Sequence, residues 1–386
     1  MRIGIDARTI LNPEKGEAIG VGHYTYQLIR HLLKLDTQNE YVLFFDFRVR
    51  EKDVKKFTQS NVKIKFYPFS DYKKYLPMAY SEILGMATLT KEKLDVLHST
   101  SPDSRIPVAY GGKCVVTFHD LAVYNCPQCF PALKMTRSKA VLNMMASKAD
   151  KIIAVSNSIK EDVQKQFKTK ADKIEVIYSG LDKRFFDNPE ANSQKVLAKF
   201  GIEKKYILFL GTLEPSKNIT RLLEAFQKFK EKYQKLNHKF DYQLVVAGKR
   251  GWLSNEYLQT VKDFGLSKDV VFTGYVVGDE LVPLFKGAQF FVMPSLYEGF
   301  GMTVLEALAT GTPSIISKVS SLPEIADGAA YYVNPLDTTE IAEAMIKFAT
   351  DENFKNSFIA KGLEQAKKFD WDKAARETLE VYKSLK

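Results

Sequence analysis

The segment from Pro294 to Glu306 reads PSLYEGFGMTVLE and carries two glutamates, Glu298 and Glu306, eight positions apart. The residues just before it, QFFVM at 289–293, are largely apolar and predict a short buried strand. The first glutamate is therefore expected on a loop at a strand end, and the second on the first turn of the following helix. In an open α/β sheet the crevice at this edge binds ligands, and the free N–H groups of a helix N-terminus suit a phosphate.

The chemistry of this segment fits a ligand that has hydroxyl groups on both sides of a diphosphate. An ionised carboxylate only accepts hydrogen bonds, so each glutamate suits sugar or ribose hydroxyls. Gly299 and Gly301 allow the backbone to approach a ligand closely. The alternative is a surface Glu298 on a turn and a Glu306 favoured by the helix macrodipole. The two glycines and the preceding strand favour the ligand site.

The length and composition predict a two-domain globular protein. The chain has 386 residues, of which 45% are hydrophobic and 26% charged, and this balance excludes a disordered chain. No apolar run reaches the roughly 18 residues of a membrane span. The first residues, MRIGID, predict a strand rather than a secretion signal. We therefore expect a cytoplasmic protein.

The net charge of +10 is concentrated in part between Arg48 and Lys74, where nine basic residues stand against three acidic ones among several aromatic residues. One interpretation is a solvated basic face. A second is contact with an anionic membrane surface, which would make the protein peripheral at the inner face of the membrane. Nucleic acid is the third, and we expect no nucleic-acid partner.

The cysteine pattern gives little support for a metal site. Cys126 and Cys129 have the spacing of a metal knuckle, but no second Cys or His pair matches them, and His119 is one nearby candidate. A structural zinc site takes four ligands in most cases. We expect no metal and no redox dithiol, and favour loop cysteines without a role.

Strands alternate with helices twice along the chain, which predicts two parallel, doubly wound sheets of the α/β class. Two such domains facing a central cleft would place a ligand site in the cleft. Residues 182–204 are polar and are predicted to be the linker. The predicted strands are 2–6, 41–45, 62–66, 95–97, 113–118, 151–155 and 173–178, followed by 206–210, 243–247, 270–273, 289–293, 313–316 and 331–333.

A lysine stands at the start of the second half's first helix. Residues 211–218, GTLEPSKN, follow a predicted strand, and Asn218 is a good N-cap for the helix after it. Lys217 and the free N–H groups of that helix would together hold a diphosphate and stabilise it as it leaves. The alternative is a solvated lysine in a turn.

The first half offers two weaker signals at strand ends. Gly20 and Gly22 lie in a predicted loop before a helix over 23–35, but Thr25 stands where a dinucleotide fingerprint needs its third glycine. As a loop at a strand's carboxyl end, it could still close over a phosphate. His119 follows strand 113–118 and could donate to a phosphate oxygen or contact a transferred group. A buried, satisfied histidine is the alternative.

In this order the motifs resemble those of the retaining nucleotide-sugar glycosyltransferases of family 4, also called glycosyltransferase group 1, in their mannosyltransferase-like branch. The Glu-x7-Glu segment is the most specific of them. The matching segments cover nearly the whole chain, at 20–22, 96–98, 117–121, 154–156, 178–182, 211–218, 245–249, 272–276, 298–306 and 309–313.

The resemblance implies a GT-B fold with two Rossmann-like domains. Residues 1–190 would bind the acceptor, residues 191–370 would bind the donor, and residues 371–386 would cross back to the first domain. It implies a retaining, metal-independent hexosyltransferase without a cofactor. The donor would be a nucleoside diphosphate sugar, with GDP-mannose favoured. The acceptor would be a saccharide or lipid-linked saccharide in surface polysaccharide or glycolipid synthesis. UDP-sugar donors and a non-catalytic, basic lipid-binding relative stay open.

The resemblance also assigns roles in the donor half. Glu306 would hold the ribose hydroxyls, and Glu298 would bind hydroxyls of the donor sugar. The backbone N–H groups of Phe300, Gly301 and Met302 would assist Glu298.

Three further residues complete the implied site. Lys217 would bind the diphosphate, with Gly22 near it, and His119 would lie against the donor sugar. His119, Glu298 and Lys217 would form the catalytic set. No protein nucleophile is implied, because the leaving phosphate takes the proton of the incoming hydroxyl on the same face of the sugar.

Two departures from the family pattern concern charge and helix start. Relatives often carry Arg at the position of Thr212 or Ser216, and both are neutral here. Lys217 would then act nearly alone, or with Lys249 or Arg250. Relatives also often have Pro where Thr303 stands, which is acceptable at a helix start.

Overall fold

A computed structural model of the chain describes residues 1–12, 20–67, 78–186, 193–249, 251, 255–276 and 278–386. The chain divides into two compact units. Unit 1 comprises Met1–Tyr124, Ala132–Gly180 and Asp370–Lys386, and unit 2 comprises Asn125–Pro131 and Leu181–Phe369. The chain therefore passes between the units after residues 124, 131, 180 and 369. The predicted boundaries are after residues 190 and 370.

All thirteen predicted strands are present, with ends that differ from the predicted ones by at most two residues. They are β1 (Arg2–Asp6), β2 (Glu40–Asp46), β3 (Val62–Tyr67), β4 (Val96–Ser99), β5 (Lys113–Phe118), β6 (Lys151–Ala154), β7 (Ile174–Val176), β8 (Lys205–Leu210), β9 (Tyr242–Ala247), β10 (Val270–Gly274), β11 (Phe290–Met293), β12 (Ser314–Ser317) and β13 (Tyr331–Val333).

The α-helices that accompany these strands are α1 (Gly20–Leu35), α2 (Glu51–Val54), α3 (Met78–Lys91), α4 (Ala122–Asn125), α5 (Ala132–Lys148), α6 (Asn157–Phe167), α7 (Ser193–Lys199), α8 (Ile219–Lys235), α9 (Asn255–Asp263), α10 (Leu281–Lys286), α11 (Met302–Ala309), α12 (Leu322–Ala326), α13 (Thr338–Thr350), α14 (Glu352–Ala366) and α15 (Trp371–Lys383).

Each unit is built on one parallel sheet with a reversal of strand order at its centre. The order is β3-β2-β1-β4-β5-β6-β7 in unit 1 and β10-β9-β8-β11-β12-β13 in unit 2. The described strand pairs are all parallel. The reversal falls between β1 and β4 in one sheet and between β8 and β11 in the other, and ligands bind at such switch points. Both units are thus doubly wound α/β domains, as predicted.

Apolar sequence explains why these strands lie at the centre of each unit. Every residue of β9 and of β11 is buried, as expected for parallel strands covered on both faces. In unit 2 the core joins the sheet to α8 and α13. The apolar residues of α8 recur at helical spacing and are all buried, namely Ile219, Leu222, Leu223, Phe226 and Phe229.

Two local predictions are wrong. Gly20 and Gly22 lie in the first turn of α1 instead of in a loop, and Gly22 is one of the helix's buried residues. Glycine costs a helix about 1 kcal/mol relative to alanine, and tertiary packing of α1 overrides that preference. The predicted linker at 182–204 contains a 3₁₀ turn at Lys183–Phe185 and helix α7, because apolar residues such as Phe185 are buried there.

Gly248 brings the ends of β8 and β9 into close contact. Its φ is +148°, and a Cβ atom there would lie 1.8 Å from the carbonyl oxygen of Gly211. We expect Gly248→Ala to destabilise unit 2 by about 3 kcal/mol in thermal or urea unfolding, because both strain and a backbone clash must be relieved.

The matched control is Gly265→Ala. Gly265 has a φ of +65° with no atom within 4 Å of the added Cβ, so only the left-handed conformation is strained, at about 1 kcal/mol. Equal losses in the two variants would show that the contact with Gly211 is not the cause.

Candidate functional site

Asn218 joins three loops at the switch point of unit 2. Its side-chain amide donates to the carbonyl oxygen of Pro294 at 2.9 Å, after β11, and of Pro335 at 2.7 Å, after β13. The sequence predicts Asn218 as the N-cap of α8, but its φ is 62° and its side chain caps no N–H group of the helix. It instead holds the loops after β8, β11 and β13 together, next to Lys217.

Lys217 and Glu298 form an ion pair at this point. The Lys217 Nζ donates to the Glu298 Oε1 at 2.6 Å, and the two side chains are only 17% and 10% exposed. A charge-assisted hydrogen bond of this length is among the stronger polar contacts in proteins. Lys217, predicted to bind the diphosphate, and Glu298, predicted to bind the sugar, are thus direct partners.

The loop that carries Glu298 is fixed by two serines that follow β12. The backbone N–H of Glu298 donates to the Ser320 Oγ at 2.9 Å. The Ser321 hydroxyl donates to the carbonyl oxygens of Glu298 and Phe300, at 2.9 and 3.0 Å. Sequence reasoning missed both serines, although Ser-Ser before Leu-Pro-Glu is a helix-start pattern that could have drawn attention to them.

Helix α11 begins immediately after this loop. Gly301 precedes it with a φ of 104°, and a Cβ there would lie 2.7 Å from a methyl carbon of Leu322. Only glycine fits both conditions. The N–H groups at the start of a helix have no helical carbonyl to bond, so those of Gly301 and Met302 suit the anion-binding role that the sequence predicts.

Glu306 lies in the second turn of α11 rather than the predicted first, because the helix already begins at Met302. The residue is partly exposed, yet burial of its carboxyl group raises its pKa to about 8. Arg184 opposes this rise and Asp182 adds to it. Without a ligand the carboxyl group is therefore mostly protonated at neutral pH.

In unit 1, His119 follows β5 with its proton position fixed. The Nε2 atom lies 2.7 Å from the carbonyl oxygen of Thr100. A carbonyl oxygen only accepts, so Nε2 carries the proton. Burial lowers the pKa of His119, and the neutral ring then leaves Nδ1 as an acceptor. This arrangement favours contact with a hydroxyl group over donation to a phosphate oxygen.

Helix α15 supports the surroundings of His119. The Tyr24 ring packs edge-on against His119 at 4.6 Å and against Trp371 of α15 at 5.6 Å between ring centroids. Near the other end of α15, the Tyr382 hydroxyl lies 2.6 Å from the Nδ1 of buried His98. Trp371 and Tyr382 are both buried and fix the two ends of this helix.

The predicted site residues thus fall into two groups. Gly22 and His119 belong to unit 1, and Lys217, Glu298, Phe300–Met302 and Glu306 belong to unit 2. The structure joins Lys217 to Glu298 directly. It adds Asn218, the two serines and Arg184, none of which the sequence singles out as a site residue.

No metal-binding group of three or more His, Cys, Asp or Glu residues occurs in the described part of the chain. Cys126 and Cys129 form a disulfide, whereas loop cysteines without a role were expected. The 3₁₀ turn between them brings their Cα atoms to 5.5 Å. Among the described helices, none is long and apolar enough to span a membrane.

Comparison with known proteins identifies the family. Residues 192–365 match the model "Glycosyl transferases group 1", and residues 19–185 match "Glycosyltransferase Family 4". O-antigen chain mannosyltransferase B of Escherichia coli is 31% identical over 274 residues, which is 71% of each chain.

Solved structures agree on the fold. Sucrose-phosphate synthase from Thermosynechococcus elongatus has a TM-score of 0.78 at 19% identity, covering 100% of this chain and 99% of that chain. HepE from Anabaena, in complex with UDP and glucose, has a TM-score of 0.74 at 16% identity and covers both chains fully. The predicted GT-B fold class is confirmed, and the chain belongs to the group 1, or family 4, glycosyltransferases.

Proposed function

We propose that the protein transfers a hexose from a nucleoside diphosphate sugar to a saccharide or lipid-linked saccharide, with retention of the anomeric configuration. The favoured donor is GDP-mannose, and the favoured setting is surface polysaccharide synthesis. The observation that carries the proposal is the Lys217–Glu298 pair, at 2.6 Å, beside the N-terminus of α11. The 31% identical relative is named a mannosyltransferase, which supports the choice of sugar.

Donor binding exchanges the partners of this pair. The diphosphate takes the place of Glu298 on the Lys217 ammonium group and receives further N–H donors from the start of α11. Glu298 is then able to accept hydrogen bonds from hydroxyls of the donor sugar. His119 accepts another sugar hydroxyl at Nδ1, since Nε2 is engaged with Thr100.

The transfer step needs no protein nucleophile. The bond between the anomeric carbon and the phosphate oxygen breaks, and the acceptor oxygen forms its bond to that carbon on the same face. The acceptor's hydroxyl proton passes to the departing phosphate oxygen. Lys217 and the helix N–H groups stabilise the charge that develops on this phosphate, so we propose that the reaction proceeds without a divalent ion.

A donor panel tests the proposal. The protein is incubated with GDP-mannose, UDP-glucose and UDP-galactose without acceptor, and slow donor hydrolysis is followed with and without EDTA. We expect turnover of GDP-mannose that EDTA does not change. Turnover of a UDP-sugar instead would move the proposal to glucosyl or galactosyl transfer. A protein that neither binds nor hydrolyses any of the three would contradict it.

The second candidate function is a non-catalytic, basic lipid-binding protein, and the same surface would serve peripheral membrane binding by the enzyme. Four basic residues between 48 and 67 are paired with carboxylates, Arg48 with Asp46, Arg50 with Asp53, and both Lys63 and Lys65 with Glu92. Lys52 and Lys55 are exposed, and Lys55 borders a cavity of about 490 Å³ that Ile64 and Phe66 also line. Lys73 and Lys74 lie outside the described residues.

We expect Lys52→Glu with Lys55→Glu to weaken co-sedimentation with vesicles that contain anionic lipid strongly, because the two exposed lysines are replaced by acidic residues on this surface. The double variant Lys262→Glu with Lys268→Glu changes the same charge at exposed positions of unit 2 and is expected to bind like wild type. Equal binding by both variants would contradict the membrane surface, and wild-type binding with an inactive donor panel would favour the non-catalytic candidate.

A further inference from the structure

The proposed donor brings more negative charge than Lys217 alone can balance. The ammonium group of Lys217 is already matched to Glu298. Positions 212 and 216, where relatives often carry Arg, are Thr and Ser here. The Ser216 hydroxyl donates to the Glu214 carboxylate at 2.9 Å. A second cation for the diphosphate must therefore come from another segment.

Arg184 is a cation on a segment whose backbone is fixed in place. Asp182 caps the 3₁₀ turn at Lys183–Phe185 through the Arg184 backbone N–H, at 3.1 Å. Phe185 is buried and packs against Phe285 of α10, with 6.3 Å between ring centroids, which anchors the turn. The side chain of Arg184 thus projects from a fixed segment of unit 2.

The guanidinium group lies over the Phe185 ring, 5.0 Å from its centroid, but its hydrogen-bonding capacity is not filled. Its Nε atom is buried without a hydrogen bond among the described residues. The Asp182 carboxylate lies 3.8 Å from it, beyond hydrogen-bonding distance. The side chain as a whole is 31% exposed, so a ligand has access to it. A buried donor without a partner is costly, and an anionic ligand at this point would relieve that cost.

The charge of Arg184 also acts on the carboxyl group expected to hold the ribose. Among the described residues, Arg184 and Asp182 are the charged groups that act electrostatically on Glu306. In a nucleoside diphosphate, the anionic group nearest the ribose is the phosphate esterified to it. If Glu306 holds the ribose, that phosphate is the one within reach of Arg184, and the outer phosphate is left for Lys217.

We propose that Arg184 binds the ribose-linked phosphate of the donor nucleotide and replaces the arginine that this chain lacks at positions 212 and 216; the inference rests on the proposed function. The planar guanidinium fork matches two phosphate oxygens at once. The two cations then divide the diphosphate, with Arg184 holding the part that stays with the nucleoside and Lys217 the part that bonds to the sugar.

Isothermal titration calorimetry with GDP, GMP and guanosine tests this division. We expect Arg184→Ala to weaken the binding of GDP and GMP by a similar factor, roughly 10- to 100-fold. The binding of guanosine is expected to weaken much less, because for that ligand only the pKa of Glu306 changes. Lys217→Ala is expected to weaken the binding of GDP far more than the binding of GMP. Arg184→Lys keeps the charge without the fork and is expected to recover part of the affinity. The matched control is Lys183→Ala, an exposed lysine of the same turn, which is expected to bind like wild type.

The outcomes separate the inference from the proposed function. If wild type binds GDP or UDP and Arg184→Ala binds it equally well, the inference is overturned while the function stands. If Arg184→Ala weakens the binding of guanosine by the same factor as the binding of GDP, the residue supports the fold of the turn, and the inference is again overturned. If wild type binds neither GDP nor UDP, the proposed function falls, and the inference falls with it.

Discussion

Replacing Lys217 by methionine is expected to lower kcat by about 10³-fold and to destabilise the protein by about 3 kcal/mol. The loss of turnover reflects the missing charge at the departing phosphate, where a single preorganised donor is worth 10²- to 10³-fold. The loss of stability reflects Glu298, whose side chain is only 10% exposed and is left without its partner at 2.6 Å. Steady-state kinetics with the active donor and urea unfolding without ligand measure the two effects.

A double variant separates charge burial from catalysis. Lys217→Met with Glu298→Gln removes both charges, so it is expected to recover most of the stability and none of the turnover. Lys232→Met is the control, because Lys232 pairs with Glu343 at 2.8 Å where both side chains are well exposed. That pair is expected to contribute less than about 1 kcal/mol. Unchanged stability in Lys217→Met would mean that the ion pair is not populated without ligand.

Replacing Glu306 by glutamine is expected to stabilise the ligand-free protein at pH 8 and to change nothing near pH 4.5. The pKa of Glu306 is raised from 4.5 to about 8 in the folded protein. The folded protein therefore keeps a proton that the unfolded chain releases, and stability falls as the pH rises from about 4.5 to about 8. This gap corresponds to at most about 5 kcal/mol, and partial exposure of the residue reduces our expectation to about 3 kcal/mol.

Glutamine resembles the protonated acid and does not titrate, so the variant is expected to lose this pH dependence. Urea unfolding at four values between pH 5 and pH 8 measures it. Glu364→Gln, at an exposed position of α14, is the control and is expected to keep the wild-type profile. Parallel profiles for wild type and Glu306→Gln would show that the carboxyl group ionises freely in the folded protein.

The same carboxyl group makes nucleoside binding depend on pH. If the ribose hydroxyls are held by an ionised Glu306, as the family resemblance implies, binding must release a proton below pH 8. Guanosine affinity is then expected to rise between pH 6.5 and pH 8.5 in wild type and to stay constant in Glu306→Gln. Constant affinity in wild type would mean that the protonated acid binds the ribose.

The strands could be predicted closely because parallel strands covered on both faces read as short apolar runs, such as YILFL at 206–210 and QFFVM at 289–293. The class of the fold followed from their alternation with helices. The start of α1 could not be predicted, since Gly20 and Gly22 disfavour a helix locally and only the folded structure reveals that Gly22 is buried.

The pairing of Lys217 with Glu298 could not be predicted from the sequence, for a different reason. The two residues are 81 positions apart, and they meet because β8 and β11 are neighbours in the sheet. Strand order is a property of the whole unit, and the local sequence does not contain it. Asn218 shows the same limit, because its residue type fits an N-cap while its bonds go to two distant loops.

The composition of the segment around Arg184 prevented its recognition as a site residue. The segment that contains it is polar and charged, as linkers are, and one buried aromatic residue, Phe185, fixes it to unit 2. The family resemblance indicated that the arginine which relatives often carry beside Lys217 is absent, but the proposal that Arg184 compensates for it required the folded structure.

The contact between Lys217 and Glu298 also has a consequence for the affinity of small ligands that engage only one of the two residues. Inorganic phosphate that engages Lys217 would take the counter-ion from the mostly buried Glu298 carboxylate. A free sugar that engages Glu298 would weaken the same ion pair from the other side. For each of these ligands, the cost of disrupting the ion pair offsets part of the favourable binding free energy. A nucleotide sugar supplies the anion and the hydroxyls in one molecule and satisfies both residues together. Under the proposed function, the Lys217–Glu298 pair would therefore disfavour free phosphates and hexoses, either of which would otherwise occupy half of the site.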